Sequence, residues 1–262
     1  MIIHLSKKLL DSVYSEYNIP SLIHPDPLEF LSKYPNIQER EIAGLIASSL
    51  AYGQVNLILK TVNNVLGKMG NSPLSYIKSK TVKDMQNDFK NFKYRFTTED
   101  DLIDLFTALK NSLTDFDSLE NLFLSSYSNS DENIVNSSMK FVTKLHEYSP
   151  AKRIKLIPNP ILGSACKRLN LYFRWMIRKD HVDPGGWDSV CPSKLIVPLD
   201  THMFYFGKTY GFTKRKSADL KTAIEITNGF KKFCPQDPVK YDFALTRFGI
   251  HPDMKWDDFI NV

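Results

Sequence analysis

Two charged residues that are far apart in the sequence stand where they could do chemistry. Lys167 follows the turn-forming stretch PNPILGSAC, and Asp200 interrupts the apolar run VPLDTHMFYF directly before a predicted helix. A lysine amine can act as a nucleophile that forms a Schiff base, and a carboxylate can stabilise positive charge that develops during a reaction. Asp is also a preferred N-cap residue, so helix capping is the alternative role for Asp200.

The stretch before Lys167 predicts a tight turn that leads into a helix. Pro160 opposes helix formation, Gly163 permits the turn, and the helix is predicted to begin between residues 164 and 166. The start of a helix presents free backbone N–H groups and the positive end of the helix dipole, which together bind phosphate. The alternative role for Lys167 is that of an ordinary lysine exposed to solvent.

These two positions lie in a chain whose hydrophobic pattern is helical almost throughout. Apolar residues recur at helical spacing in eight segments, and no run alternates convincingly as a strand. The sequence therefore predicts an all-α protein. The predicted helices cover about residues 39–50, 55–66, 99–112, 133–148, 166–178, 201–208, 218–233 and 238–248.

Length and composition exclude several classes of protein. With 262 residues, of which 42% are hydrophobic, the chain can form one large domain or two small ones. The apolar stretches are too short for a membrane span, and the N-terminus lacks a secretory signal pattern, so we expect a cytoplasmic protein. Three cysteines and the histidine spacing match no zinc site or iron–sulfur cluster. We therefore expect reduced thiols, no metal and no cofactor.

The basic charge is concentrated in the C-terminal part of the sequence. The net charge is +5, and residues 1–150 carry −3 whereas residues 151–262 carry +8. Clusters of Lys and Arg in the second part could neutralise phosphates of a nucleic acid. Solvated helix faces are the alternative interpretation of the same charges.

Both motifs resemble those of a known family. The sequence GSACK before a helix, followed by VPLDTHMFYF, looks like the signature of the helix-hairpin-helix DNA glycosylases, whose hairpin runs L-P-G-V-G-x-K and whose aspartate lies in V-D-x-H. The 8-oxoguanine branch is the most similar. The resemblance implies that Lys167 is the nucleophile, that Asp200 is its catalytic partner, and that His202 faces a backbone phosphate. It places further DNA contacts at Gly163, Ala165 and Arg168.

A third stretch, LIASSLAYGQVNLILKTVNNVL, is similar to the early helix pair of the same superfamily. There a Gln or Asn enters the gap that an extruded base leaves, and this role falls on Gln54. The resemblance spans roughly residues 39–248 and implies a two-lobed all-α glycosylase fold with an interlobe cleft. Residues 37–180 would form a helical barrel, and residues 1–36 plus 181–262 a second lobe, with Lys167 and Asp200 on opposite sides of the cleft.

The sequence also departs from the family pattern. Ala165 stands where a second glycine is usual, and Leu162 where proline is common, so the phosphate-binding turn is altered. Lys167 and Asp200 are 33 positions apart, with the extra stretch HVDPGGWDSVCPSKL between them, and this spacing is similar to that of the archaeal 8-oxoguanine glycosylases. A bacterial family within the superfamily carries the same P-L-D-T-H core. The iron–sulfur motif of the endonuclease III branch is absent from the sequence.

Recognition of the damaged base would involve further residues. The resemblance implies an acidic residue on a late helix, and Asp242 is its positional counterpart; an exposed residue near a helix start is the alternative. Phe173, Trp175 and Trp187 are candidate stacking surfaces for a flipped base, although aromatic residues at helical spacing also pack in cores. Arg174 could reach the base pocket or a phosphate, or lie on a solvated face.

The resemblance therefore implies a monomeric DNA glycosylase and AP lyase that acts on double-stranded DNA containing a damaged base, most of all 8-oxoguanine. Such an enzyme rotates the nucleotide out of the stack, and Lys167 then displaces the base and is left in a Schiff base with the sugar. A non-catalytic helix-hairpin-helix protein that binds DNA or RNA is the first alternative. A monofunctional alkyl-base glycosylase, which needs Asp200 but not Lys167, is the second.

Overall fold

The computed structural model describes residues 5–250 and Phe259, and helices account for most of these residues. The prediction of a predominantly α-helical protein is confirmed. No helix in the described part of the chain is long and apolar enough to cross a membrane. The α-helices are α1 (Lys7–Tyr17), α2 (Ile37–Leu50), α3 (Val55–Met69), α4 (Pro73–Ser79), α5 (Val82–Asp88), α6 (Glu99–Phe116), α7 (Leu119–Leu124), α8 (Val135–Tyr148), α9 (Lys167–Ile177), α10 (Thr201–Thr209), α11 (Leu220–Lys231) and α12 (Asp242–Ile250).

The eight helices predicted from periodicity are confirmed as α2, α3, α6 and α8 to α12, with ends shifted by a few residues. The helices α1, α4, α5 and α7 were not predicted. The expectation of no strand is wrong, because β1 (Lys93–Tyr94) pairs antiparallel with β2 (Thr97–Thr98). Strands of two residues are too short to show an alternating pattern. Four short 3-10 helices complete the order: Pro20–Leu22, Pro27–Lys33, Pro160–Leu162 and Pro192–Lys194.

The described residues divide into two compact units. Unit 1 contains residues 5–26, 132–134, 160–250 and Phe259, and unit 2 contains residues 27–131 and 135–159. The sequence predicted instead that residues 37–180 form one lobe. In the structure α9 belongs with α10 to α12, because its arginines pair with aspartates of the segments that follow it. Lys167 and Asp200 therefore both lie in unit 1.

In unit 2, α2 supplies carboxylates that cap the starts of two other helices. The side chain of Glu41 is fully buried and accepts hydrogen bonds from the backbone N–H groups of Leu119 and Glu120, at 3.0 and 2.9 Å. Glu39 accepts from the N–H of Leu74 at 2.8 Å. A helix N-terminus stabilises a negative charge and supplies unsatisfied donors, so these contacts hold α4 and α7 against α2.

In unit 1, α10 packs closely against both α11 and α12. A Cβ atom at Gly207 of α10 would lie 2.5 Å from the Ile226 side chain, so glycine permits the approach of α11. The rings of Phe206 and Phe230 stack across the same interface, with centroids 5.6 Å apart. On the other side, the ring of His202 lies against Gly249 of α12. These contacts fix the position of α10 and of the residue that begins it.

Candidate active site

The turn before Lys167 forms as predicted, and α9 begins at Lys167 itself. Gly163 has a φ angle of +79°, which favours glycine, and residues 161–164 are exposed. The side chain of Cys166, the N-cap residue, makes no capping hydrogen bond to α9. The element directly before the turn is the 3-10 helix Pro160–Leu162. Of the two helices that a helix-hairpin-helix motif places around its turn, only the second is therefore an α-helix here.

Hydrogen bonds tie the turn to its surroundings. Cys166 has the left-handed conformation, with φ +45° and ψ +46°, which is uncommon for a residue with a side chain. The Asn170 side chain donates to the carbonyl of Ala165 at 2.9 Å, and the N–H of Leu220 donates to the carbonyl of Gly163 at 2.9 Å. Hydrogen bonds from α9 and from the start of α11 therefore hold the backbone of the turn that precedes Lys167.

Asp200 has two contacts, one through each carboxylate oxygen. It is the N-cap of α10, and its Oδ1 accepts a hydrogen bond from the N–H of Met203 at 2.8 Å, which confirms the capping role. Its Oδ2 lies 3.4 Å from Nζ of Lys167. The side chain of Asp200 is 10% exposed and that of Lys167 is 37% exposed. The pair thus combines an accessible amine with a nearly buried carboxylate.

Asp242 belongs to the same electrostatic cluster. It is the first residue of α12, and it is buried, so the alternative of an exposed residue is wrong. Burial raises its pKa from the ordinary value of 3.8 to about 6; Asp200 raises this pKa further, whereas Arg174 and Lys167 lower it. Its Oδ2 accepts from Nη1 of Arg174 at 2.5 Å. Its Oδ1 has no hydrogen-bond partner among the described residues.

Two buried arginines, Arg174 of α9 and Arg178 directly after it, hold the aspartates in place. Arg174 donates through Nε to Asp183 at 3.1 Å, and Arg178 donates to the other oxygen of Asp183. Arg178 also pairs with Asp180 at 2.8 Å and with Asp237 at 2.9 Å. Both guanidinium groups are buried and paired, so neither a solvated face nor a phosphate contact describes them. They position the carboxylates instead.

The extra stretch between Lys167 and Asp200 completes this arrangement. It supplies Asp183, whose pKa burial raises although the two arginines lower it. It also covers the end of α9: the N–H of Gly185 donates to the carbonyl of Trp175 at 3.0 Å, and the N–H of Trp187 to that of Met176 at 2.8 Å. These bonds satisfy carbonyl groups that a helix end leaves without partners. The stretch therefore stabilises α9 and the arginines on it.

The aromatic residues proposed for base stacking lie in the core. Phe173, Trp175 and Trp187 are fully buried. Trp187 packs at right angles to Tyr172, with ring centroids 5.5 Å apart, and lies 6.1 Å from Phe173. This is the alternative that the sequence left open. A base could stack on these rings only if the core around them opened.

The other predicted DNA contacts are partly accessible. Arg168 is half-exposed in the first turn of α9, and Ala165 is buried beneath the turn. His202 is half-buried because its ring packs against the backbone of α12 at Gly249. The contacts of these residues with DNA stay predictions.

Gln54 is the exposed N-cap of α3 in unit 2. The β-hairpin lies beside it, since the Tyr52 hydroxyl donates to the carbonyl of Tyr94 at 3.0 Å and the Tyr94 hydroxyl donates back to the carbonyl of Tyr52. At the tip of the hairpin Phe96 is 83% exposed, and the guanidinium of Arg95 lies 5.7 Å from its ring. Sequence reasoning missed these two residues, because the strands that present them are so short.

None of the three cysteines forms a disulfide, and Cys166 is buried. Burial raises the pKa of the Cys166 thiol, which makes it a poor nucleophile although it precedes Lys167. Within residues 5–250 and Phe259, no group of three or more His, Cys, Asp or Glu residues is arranged to hold a metal ion. Of the neighbours Cys166 and Lys167, the lysine is the accessible one.

The fold and the site together define a helical protein in which the starts of α9, α10 and α12 bring a lysine and two aspartates into one cluster. A family model described as "Protein of unknown function (DUF2400)" matches residues 26–251. The chain belongs to this family, and the match includes Gln54, Lys167, Asp200 and Asp242. No curated protein and no solved structure matches the chain.

Proposed function

We propose that this protein is a DNA glycosylase with AP-lyase activity that removes an oxidised purine, 8-oxoguanine above all, from duplex DNA. The observation that carries the proposal is the accessible amine of Lys167, 3.4 Å from the nearly buried carboxylate of Asp200. Because the two residues stand at the starts of α9 and α10, their backbones are fixed by helix formation. The motif resemblance supports the same assignment independently of these distances.

The reaction needs both members of the pair. The neutral amine of Lys167 attacks C1′ of the nucleotide, the bond from C1′ to the base breaks, and the base leaves with the bonding electrons. Positive charge develops on the deoxyribose as this bond breaks, and the carboxylate of Asp200 stabilises it. The C1′–O4′ bond then breaks as O4′ takes a proton from the substituted amine, which opens the sugar ring and gives the Schiff base. Elimination of the 3′ phosphate from this intermediate is the lyase step.

Asp242 is suited to move the protons of this reaction. A group with a pKa of about 6 exchanges protons readily near neutral pH, and the pKa of Asp242 has been raised to this range by burial. Its Oδ1, without a hydrogen-bond partner among the described residues, can accept the proton that the ammonium group of Lys167 loses before the attack. The protonated carboxyl can then donate to the departing base. Arg174 holds the group through its other oxygen.

Features of both units suit the binding of a distorted duplex. The start of α9, which follows an exposed glycine turn, presents the positive end of the helix dipole, which suits a phosphate. In unit 2, Gln54 and Phe96 are exposed side chains of the kind that enter a base stack. Such insertion offsets part of the free-energy cost of base extrusion, which is roughly a few kcal/mol.

A non-catalytic nucleic-acid-binding protein is a second candidate function. It is favoured by the altered turn, in which Ala165 replaces a glycine and a 3-10 helix stands where an α-helix would be expected. Such a protein would bind nucleic acid through backbone phosphates and would be indifferent to replacement of Lys167.

Borohydride trapping on a duplex with a single 8-oxoguanine tests the proposal. We expect a covalent protein–DNA adduct with the wild type and none with Lys167→Gln or with undamaged DNA. Lys208→Gln, at another lysine of unit 1, is the matched control and should be trapped like the wild type. Binding without adduct or base release would favour the non-catalytic protein. Base release that persists in Lys167→Gln would favour a monofunctional glycosylase.

A further inference from the structure

Unit 2 contains a basic pocket that the site described above does not use. It has a volume of about 390 Å³ and is lined by one face of α3 and by the segment 90–93 that leads into β1. No acidic side chain contributes to the lining. The lining residues are Lys60, Thr61, Asn64, Lys68, Lys90, Asn91, Phe92 and Lys93.

Three of the four lysines in this basic pocket have no partner of opposite charge. Lys60, Lys90 and Lys93 form no ion pair and no hydrogen bond through their side chains within the described residues. Lys68 donates to the carbonyl oxygen of Asp88, and its Nζ lies 5.2 Å from the centre of the Phe89 ring. The fourth lysine is therefore anchored on the wall of the pocket, and the other three are available.

The carboxylates near the basic pocket are already engaged. The side chain of Asp88 pairs with Lys80 at 3.0 Å and accepts from the Tyr76 hydroxyl at 2.9 Å. The carboxylate of Glu99 accepts a hydrogen bond from the N–H of Asn91 at 2.8 Å. Neither forms an ion pair with Lys60, Lys90 or Lys93 in the described structure. Four like charges around one concavity repel each other, and a bound anion relieves that repulsion.

The shape of the charge favours an extended polyanion over a single small ion. Lys60 and Lys68 stand eight residues apart on α3, which corresponds to about 12 Å along the helix axis. The amide side chains of Asn64 and Asn91 offer further hydrogen-bond donors between the lysines. An ammonium group acts as a point charge on a flexible stem, which suits a series of phosphates along a backbone. The polar lining also does not suit a small apolar ligand.

We propose that the basic pocket binds the phosphodiester backbone of duplex DNA, as a phosphate-contact site separate from the turn at α9. The choice of DNA over other polyanions rests on the proposed function. The basic pocket adjoins the hairpin, since Lys93 begins β1 and the exposed Phe96 lies three residues further along the chain. The basic pocket and the exposed aromatic ring therefore lie close together along the chain.

The salt dependence of binding to undamaged duplex DNA tests the proposal. We compare the wild type with the triple variant Lys60→Gln, Lys90→Gln, Lys93→Gln. Each lysine that contacts a phosphate contributes about 0.9 to the slope of log K against log salt, so the triple variant should lose roughly 2.7 from that slope. The matched control is Lys78→Gln, Lys83→Gln, Lys140→Gln, which removes the same charge at exposed positions of unit 2 and should keep nearly the wild-type slope.

Further arms separate this proposal from the proposed function. Lys208→Gln, at an exposed lysine of unit 1 outside the candidate site, should keep the wild-type slope, and the triple variant should still be trapped on lesion DNA at low salt. If no protein is trapped but the triple variant loses the slope, the basic pocket stands and the glycosylase proposal fails. A wild-type slope in the triple variant, or an equal loss in the control, overturns the proposal. Lysine-dependent binding to phosphatidylserine vesicles, without a change for duplex DNA, also overturns it.

Discussion

The charged site of unit 1 and the basic pocket of unit 2 differ in whether their charged side chains are buried and paired. In unit 1 the two buried arginines pair with Asp180, Asp183, Asp237 and Asp242. In unit 2 three exposed lysines face one pocket without any carboxylate partner in the described structure. Burying a charge costs roughly several kcal/mol, so buried charges occur in pairs where they must fix the geometry of a site. Exposed, unpaired charges cost little and remain available to a ligand.

This difference suggests that the two regions serve different steps. The unit 1 network holds Asp242 in the cluster with Lys167 and Asp200, which is what bond-breaking chemistry requires. The unit 2 pocket needs no such precision, because attraction between a lysine and a phosphate depends little on angle. Four substitutions test whether the contrast is real.

The largest effect should come from removing a shared partner in the buried network. Asp183→Ala leaves Arg174 and Arg178 each without one carboxylate in a buried setting, and we expect a loss of about 3–5 kcal/mol in the free energy of unfolding. Lys90→Gln in the basic pocket is the control and should change stability by less than about 0.5 kcal/mol. Urea unfolding measures both, and similar losses in the two variants would contradict the contrast.

The next effect concerns pH. Because the pKa of Asp242 rises from 3.8 to about 6 on folding, the folded protein binds more protons than the unfolded chain between these values. The contribution of Asp242 to the free energy of unfolding is therefore present at low pH and is lost as pH rises from about 4 to about 6. Asp242→Asn should remove up to about 3 kcal/mol of this dependence. Parallel stability profiles for the two proteins across this range would refute it.

A smaller effect is expected at the packing between α10 and α12. A methyl group at Gly249 would displace the His202 ring, so Gly249→Ala should cost about 1–3 kcal/mol. Thermal unfolding measures the loss. A variant as stable as the wild type would show that the ring moves without cost.

The smallest effect is a gain in unit 2. Gly67 lies within α3, and a Cβ atom there would meet no atom within 4 Å. Gly67→Ala should therefore raise stability by about 0.5–1 kcal/mol, because alanine loses less backbone entropy in a helix. A destabilised variant, measured in the same way, would indicate a constraint on this face of α3 that the fold does not show.

Much of the fold could be predicted from local sequence signals. Long helices such as α6 show their period over several turns, and Asp200 could be predicted as an N-cap from its residue type and position. The short helices α4, α5 and α7 contain too few residues to show a period. The helical pattern also could not show whether Trp175 lies in the core or at a surface, since the same spacing fits both.

The site could be predicted only in part, because its remaining contacts join distant segments. Arg174 and Asp242 are 68 residues apart, and no local pattern relates them. The basic pocket was missed for a similar reason. Its lysines come from two segments about 30 positions apart, within a part of the chain whose net charge is negative. Counting charge by halves of the sequence hides such a cluster.

The most direct measurement is to locate the covalent bond itself. The protein would be reduced with borohydride in the presence of duplex DNA that carries an abasic site, then digested, and the modified peptide identified by mass spectrometry. We predict that the sugar fragment is attached to Lys167 in the peptide that begins α9. Attachment to another lysine or to the N-terminal amine, or the absence of any adduct, would contradict the assignment of Lys167 as the nucleophile.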